Sequence, residues 1–317
     1  MEQPLYIDST FIEENTNFAE LVEKLKSAFA SKEILIPQRH HHDLPNPRTN
    51  KETTLLLMPA WNPGKESGVK VVTVNPGNEE FGLPSIQGSY LYLDAVTGVL
   101  KAIMEAKSLT AKRTAAASAL ASSYLSRENA STLLMIGTGA LSVNLIKAHA
   151  SVRPIKEVFI WGRNSSKAEK IGQALTNTEY RVAPILEIED KISEVDIISC
   201  ATLSEKPLVL GESLVSGQHI DLVGAYKPNM READDETIKK ASIFLDSFGG
   251  LKESGDIAIP LKEGILNESE IRADLFALCA GKHGGRNSQN EITLFKSVGH
   301  ALEDLIAATY YYSKFEK

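Results

Sequence analysis

From Leu133 onward the chain alternates short apolar runs with helical segments, and this alternation restricts the fold more than any other feature. The runs are "TLLMIG", "EVFIWG", "VDIISCAT", "HIDLVGA" and "SIFLDS", with helical patterns such as "SSKAEKIGQALT" and "MREADDETIKKA" between several of them. Strands that short, with no polar face, must be covered by helices on both sides. The order therefore predicts an α/β architecture with a doubly wound parallel sheet.

The first run leads into Gly137, Thr138, Gly139, Ala140, Leu141 and Ser142, after which Leu141, Leu145 and Ala148 share one helical face. Such a strand, glycine turn and helix suits a dinucleotide. The first glycine permits the turn, the second lets a pyrophosphate approach the backbone, and the third position, here Ser142, needs only a small residue. The phosphates would rest on free N–H groups at the helix N-terminus, where the dipole favours anions. At the end of the second run, "IWGRNSSK", no acid is present to bind a ribose diol. Gly162 stands near that position, and Arg163, Asn164 and Lys167, with Ser165 and Ser166, offer a pocket for the extra phosphate of NADP. The expected cofactor is NADPH/NADP in preference to NADH/NAD, the latter remaining possible.

The remainder of the chain is mixed. "NTNFAELVEKLKSAFAS" has helical spacing, "TTLLLMPAW", "VKVVTV" and "SYLYLDAVTGVLKAIMEA" read as strands with a hairpin turn at Thr97 and Gly98, and "SLTAKRTAAASALASSYLS" reads as a helix capped by Thr110. The segment "TLFKSVGHALEDLIAATYYYSKF" reads as one long helix with Leu294, Val298, Leu302 and Leu305 on its apolar face. The expected division is residues 1–112 with 292–317 as one domain and residues 113–291 as the other.

With 317 residues, 43% hydrophobic, the chain is long enough for two cores. A net charge of -7 with no basic stripe argues against a nucleic-acid partner. The two cysteines, Cys200 and Cys279, lack metal-ligand spacing and suit a reducing compartment. No stretch reads as a signal peptide or membrane span, so the expected location is the cytoplasm.

Three cationic features call for an anion. If Thr110 caps its helix, Lys112 and Arg113 sit in the first turn, where cations oppose the macrodipole by about 0.3–1 kcal/mol. A ligand carboxylate would compensate through Arg113, with Lys112 at the surface. Lys70 shares a strand face with Val72 and Val74, and desolvation there lowers a lysine pKa. It either serves proton transfer and substrate binding or snorkels to water. In the loop "QRHHHDLPNPR", Arg39 and Arg48 bracket three histidines. Neighbours in an extended segment point to opposite faces and no second ligand group follows, so a metal is not expected.

Taken together, "LLLMPAW", "VKVVTVNPGN", "GLPSIQGSYLYLDAVTG", "LTAKRTAAASALA", "IGTGALS", "VGAYKPNMREAD" and "ITLFKSVGHALEDL" resemble the ornithine cyclodeaminase and mu-crystallin family, from about residue 39 to about 307. The resemblance implies a homodimer, with a Rossmann-type domain joined to a mixed α+β substrate-binding and dimerisation domain. It places Lys70, Arg113 and an early arginine, Arg39 or Arg48, around a substrate carboxylate, and puts Ala201, Thr202, Val298 and Gly299 beside the cofactor. Cyclodeaminases of the family carry an aspartate where this chain has Tyr226. Without that base, ring closure with loss of ammonia from ornithine is disfavoured.

The resemblance is strongest to reductases of cyclic imino acids, which convert delta-1-pyrroline-2-carboxylate to proline and delta-1-piperideine-2-carboxylate to pipecolate. Catalysis would fall to Lys70 and Arg113, with Tyr226 lining the substrate site. The alternatives are an ornithine cyclodeaminase, an alanine dehydrogenase, or a non-catalytic NADPH-dependent binding protein like mu-crystallin.

Overall fold

The computed structural model describes residues 3–316. In chain order its elements are β1 (Leu5–Ile7), α1 (Ser9–Glu14), α2 (Phe18–Ala30), β2 (His40–Asn46), β3 (Lys51–Asn62), β4 (Glu66–Val74), β5 (Ile86–Asp94), β6 (Leu100–Glu105) and α3 (Ala106–Leu125). Then follow β7 (Thr132–Ile136), α4 (Ser142–Val152), β8 (Glu157–Trp161), α5 (Ser165–Ala174), β9 (Arg181–Pro184), β10 (Ile197–Cys200) and β11 (His219–Leu222). The chain continues through α6 (Asp235–Lys240), β12 (Ser242–Leu245), α7 (Gly255–Glu263), β13 (Ile271–Asp274), α8 (Leu275–Cys279), β14 (Thr293–Lys296) and α9 (Ala301–Phe315).

Two compact units result. One comprises the residues up to Asn17, Ser31–Arg113 and the segment from His300 onward; the other comprises Phe18–Ala30 and Thr114–Gly299. The second unit holds a parallel sheet in the order β13-β12-β14-β11-β10-β7-β8-β9. β10 and β11 are buried at every position, and Leu134, Ile136, Ile198, Ile220, Leu222 and Leu294 meet in one core. Because β8 and β9 run to one side of β7 while β10 lies on the other, the winding reverses between β7 and β10. In such sheets ligands bind outside the carboxyl ends of the strands at that reversal.

The first unit holds a sheet in the order β1-β6-β5-β4-β3-β2, antiparallel except for the β1 and β6 pair. Alternation sorts its side chains: Met58, Ala60, Gly68, Lys70, Tyr90 and Met104 fall on one buried face, against which α9 packs.

Four expectations about elements are corrected. The segment from Thr293 is not one helix. Thr293–Lys296 forms β14 between β11 and β12, and α9 begins after Gly299, whose φ is 85°. Pairing on both edges overrides the helical spacing of Leu294 and Leu302. The helix through Arg113 starts at Ala106, not after Thr110, because the Glu105 carboxylate accepts hydrogen bonds from the N–H groups of Lys107 (2.9 Å) and Ser108 (2.7 Å). The histidine segment is a strand, paired with β3 from His40 opposite Leu57 to Asn46 opposite Lys51. Finally, α2 and β14 belong to the second unit, whereas the expected division puts residues 1–112 and 292–317 in the first. α2 buries Phe18, Leu21, Val22, Leu25 and Phe29 against α8 and α4, with Phe29 and Phe276 edge to face at 4.9 Å. That face needs an apolar partner, and the covered side of the first unit's sheet is taken by α9.

Candidate active site

In the first unit, Lys70 stands on β4 directly opposite Met58 of β3 and Tyr90 of β5, on the face that α9 covers. It is only 3% exposed. Its Nζ lies 2.8 and 2.7 Å from the two carboxylate oxygens of Asp304 on α9. Arg113, on α3, donates from Nε to Asp304 at 2.9 Å and from Nη1 to Glu303 at 2.6 Å. Two cations and two carboxylates, all buried, make a quartet whose formal charges balance.

The quartet sets its own protonation. Burial pushes the Lys70 ammonium down to about 8 against the opposing attraction of Asp304, with the Arg113 charge adding to the fall. For Asp304 burial acts to raise the pKa, yet the Arg113 and Lys70 charges outweigh it and hold the carboxyl below its ordinary range. Arg113 is likewise held charged by Asp304 and Glu303 despite burial. Its hydrogen bonds to the two acids engage Nε and Nη1.

The expected placement of Lys112 and Arg113 is corrected in detail. Neither lies in the first helical turn, and the dipole there is met by Glu105. Lys112 is buried and paired with Glu13, not exposed at the surface. The partners Glu303 and Asp304 are absent from the expected site residues. Their one sequence signal is that two acids interrupt an otherwise apolar face between Leu302 and Leu305. The two candidate arginines separate: Arg48 sits in the turn between β2 and β3 with its guanidinium 5.3 Å over the Phe81 ring, while Arg39 immediately precedes β2 and is partly buried. The exposed edge strand β2 carries the histidines. Among the described residues no group of three or more His, Cys, Asp or Glu side chains is placed to hold a metal ion.

In the second unit the cofactor candidates gather at the winding reversal. Gly137 has φ of 117°, and a Cβ there would come within 2.6 Å of the Ala201 carbonyl and 3.2 Å of Thr202 Cγ2. Only glycine fits. A Cβ on Gly139 would meet nothing within 4 Å, so this backbone is open to a ligand. Ser142, buried at the start of α4, donates from Oγ to the Gly137 carbonyl at 2.9 Å and closes the turn. Thr138 packs its methyl against Gly162, where a Cβ would sit 2.5 Å away. Beyond it Arg163, Asn164 and Lys167 are all exposed, Asn164 capping α5.

Val298 and Gly299 donate their N–H groups to one oxygen of Asp246, each at 2.7 Å, which fixes the turn after β14. Cys200 is fully buried and its thiol is pushed well up by burial, in keeping with a packing role. Tyr226 is 42% exposed and follows Ala225, whose φ of 48° is unusual for a residue other than glycine.

A glycine turn open to a dinucleotide, with a buried lysine and arginine held by two acids, repeats the pattern of motifs found in the sequence. The model of one family, described as ornithine cyclodeaminase/mu-crystallin, matches residues 5–317. The chain belongs to the ornithine cyclodeaminase/mu-crystallin family. Within it, the chain is 37% identical to a Delta(1)-pyrroline-2-carboxylate reductase of Colwellia psychrerythraea, over 95% of this chain and 96% of that protein. It superimposes with a TM-score of 0.90 on the Thermococcus litoralis Delta(1)-pyrroline-2-carboxylate reductase solved with NADH and L-proline, at 34% identity, covering 98% of this chain and 97% of that one. An archaeal alanine dehydrogenase dimer with bound NAD gives a TM-score of 0.89 at 29% identity, over 98% and 95% of the two chains.

Proposed function

We propose that the protein reduces cyclic imino acids, taking delta-1-pyrroline-2-carboxylate to L-proline and delta-1-piperideine-2-carboxylate to L-pipecolate. The observation that carries this reading is the convergence of Lys70 and Arg113 on Asp304 in a buried, charge-balanced cluster. A cluster of that kind offers a carboxylate a guanidinium edge already oriented by its own acids. The family members named Delta(1)-pyrroline-2-carboxylate reductase, one of them solved with NADH and L-proline, support the same reading.

A reduced nicotinamide, when bound, supplies hydride to the imine carbon. The residues fit it: the open backbone at Gly139 takes the pyrophosphate, the Asp246-held turn at Val298 and Gly299 borders the cofactor, and Arg163 with Asn164 and Lys167 prefers the 2′-phosphate of NADPH, NADH remaining usable. Arg113 holds the substrate carboxylate. Lys70, with its pKa brought to about 8, either keeps its proton and steadies the carboxylate as an ammonium or gives that proton to the ring nitrogen.

The protein acts as a homodimer, a reading supported by the dimeric alanine dehydrogenase neighbour and by an apolar outer sheet face. No helix among the described residues is long and apolar enough to cross a membrane. Two unpaired cysteines fit a reducing compartment such as the cytoplasm.

The test is a substrate panel followed by NADPH consumption. Both cyclic imines should be reduced, their kcat/KM values differing by no more than about 200-fold, since one methylene is worth only about 1–3 kcal/mol. Ornithine should release no ammonia. Cofactor binding without turnover on either imine would support a binding protein instead, and proline formation from ornithine at a rival rate would restore cyclodeaminase activity.

A further inference from the structure

Glu232, Asp256 and Lys296 are completely buried in the second unit, and the reaction outlined above uses none of them. Lys296, the last residue of β14, donates from Nζ to the Gly224 carbonyl at 2.5 Å. The same Nζ lies 3.1 Å from Asp256 Oδ2 and 4.0 Å from Glu232 Oε2. Asp256, in the first turn of α7, accepts the N–H groups of Glu232 (2.7 Å) and Ala233 (3.1 Å) through its other oxygen. Glu232 Oε1 accepts two hydrogen bonds from Thr202, from N–H at 2.6 Å and from Oγ at 2.8 Å. One set of charges thus joins the carboxyl ends of β10, β11 and β14.

The backbone is shaped around this contact. A Cβ on Gly224 would come within 2.4 Å of Glu232 Oε1 and 2.1 Å of the Thr202 carbonyl, so only glycine admits the carboxylate. Ser254 then donates to the carbonyl of Ala225, the residue in left-handed conformation, at 2.7 Å. Thr202 in turn packs on Gly137, the pivot of the glycine turn. A buried ionic cluster is weak as a source of stability, and its best-attested use is to impose one arrangement.

We propose that Glu232 is a positioning residue for the dinucleotide: its ionised carboxylate holds the Thr202 end of β10 against the glycine turn, and its protonation loosens that hold. The groups that face Glu232 are Lys296 from β14, Asp256 from α7, and Cys200 and Thr202 from β10 and the residues after it. Two carboxylates share one ammonium. Burial, with the Asp256 charge adding to it, pushes the Glu232 carboxyl up to about 7, while Lys296, Cys200 and Thr202 act the other way. As pH falls through that value the carboxylate becomes a neutral acid and a weaker acceptor for Thr202.

This inference rests on the dinucleotide reading above. Its test is the dissociation constant of NADH, followed by fluorescence between about pH 6 and about pH 8; NADH is chosen because it lacks the 2′-phosphate, whose own ionisation near pH 6 would intrude. For the native protein the constant should rise about fivefold as pH falls across that range, the difference between charged and neutral hydrogen bonds to Thr202. Glu232→Gln should bind NADH with a flat profile, and Glu232→Ala should bind more weakly at every pH. Carbon-13 spectra of the native protein labelled at glutamate carboxyls should show one group titrating near 7, a measurement that needs no variant to fold. Binding whose profile is unchanged in Glu232→Gln, or no glutamate titrating near neutrality, would overturn the positioning role alone. Failure to bind NADH at any pH would overturn the dinucleotide reading with it.

Discussion

Arg113 shows how a side chain singled out by one argument can be held in the fold by another. As a cation in want of an anion it is legible in "LTAKRTAA", but the argument from a first-turn position fails because Glu105 already answers the helix dipole. What holds the guanidinium is Glu303 and Asp304, nearly two hundred residues later in the chain. Arg113→Ala should therefore lower kcat/KM for imine reduction by about 2–5 kcal/mol, through loss of the substrate contact and through an acid pair left with Lys70 alone. Steady-state kinetics against Arg113→Lys, which keeps charge without the fork, checks the geometry. Near-normal turnover of the alanine variant would move the carboxylate to Arg39, Arg48 or Lys70. Arg163 is tested separately. Arg163→Ala should raise the KM for NADPH by the worth of a charged hydrogen bond, about 1.5–3 kcal/mol, and leave NADH nearly unchanged; equal effects on both would remove the phosphate assignment.

Among the elements, those with strong periodicity were readable and their ends were not. The α2 face, the β4 alternation around Lys70 and the glycine turn followed from spacing alone. The start of α3 did not, because its cap is a glutamate at the end of a strand, supplying a carboxylate where Ser, Thr, Asp or Asn is the usual signal. Glu105→Ala should cost about 0.5–2 kcal/mol of stability, seen as a lower denaturant midpoint at unchanged slope. A midpoint equal to that of the native protein would show that the Glu105 bonds add nothing to the stability of α3. The β14 strand was hidden for a different reason. Four residues, Thr293–Lys296, suit a helix or a strand equally by periodicity, and the two neighbours that settle the matter, β11 and β12, lie far away in the chain.

For the molecule as a whole, the first unit's sheet has one side covered by α9 and an opposite side on which Pro59, Val69, Leu91 and Ile103 align across four strands. All four are partly exposed. An apolar row of that length on an ordered sheet is the kind of surface that self-association covers. Light scattering should give twice the chain mass of 34.6 kDa, and Val69→Asp should shift the protein toward 34.6 kDa. A native protein that scatters as a monomer would exclude the dimer.

The layered α/β unit, the glycine turn with its small third residue, the family, and the prominence of Lys70 and Arg113 as cations in unusual settings can all be read from the chain, because each rests on local spacing or on contiguous motifs. What those residues touch follows only from how the chain packs. The acids that balance Lys70 and Arg113, the transfer of α2 to the second unit, and the tie of Glu232 and Lys296 across three strand ends all join residues distant in the chain. Charge pairing in a buried site depends on which side chains the packed core brings within about 3 Å, and spacing along the chain carries no record of that distance.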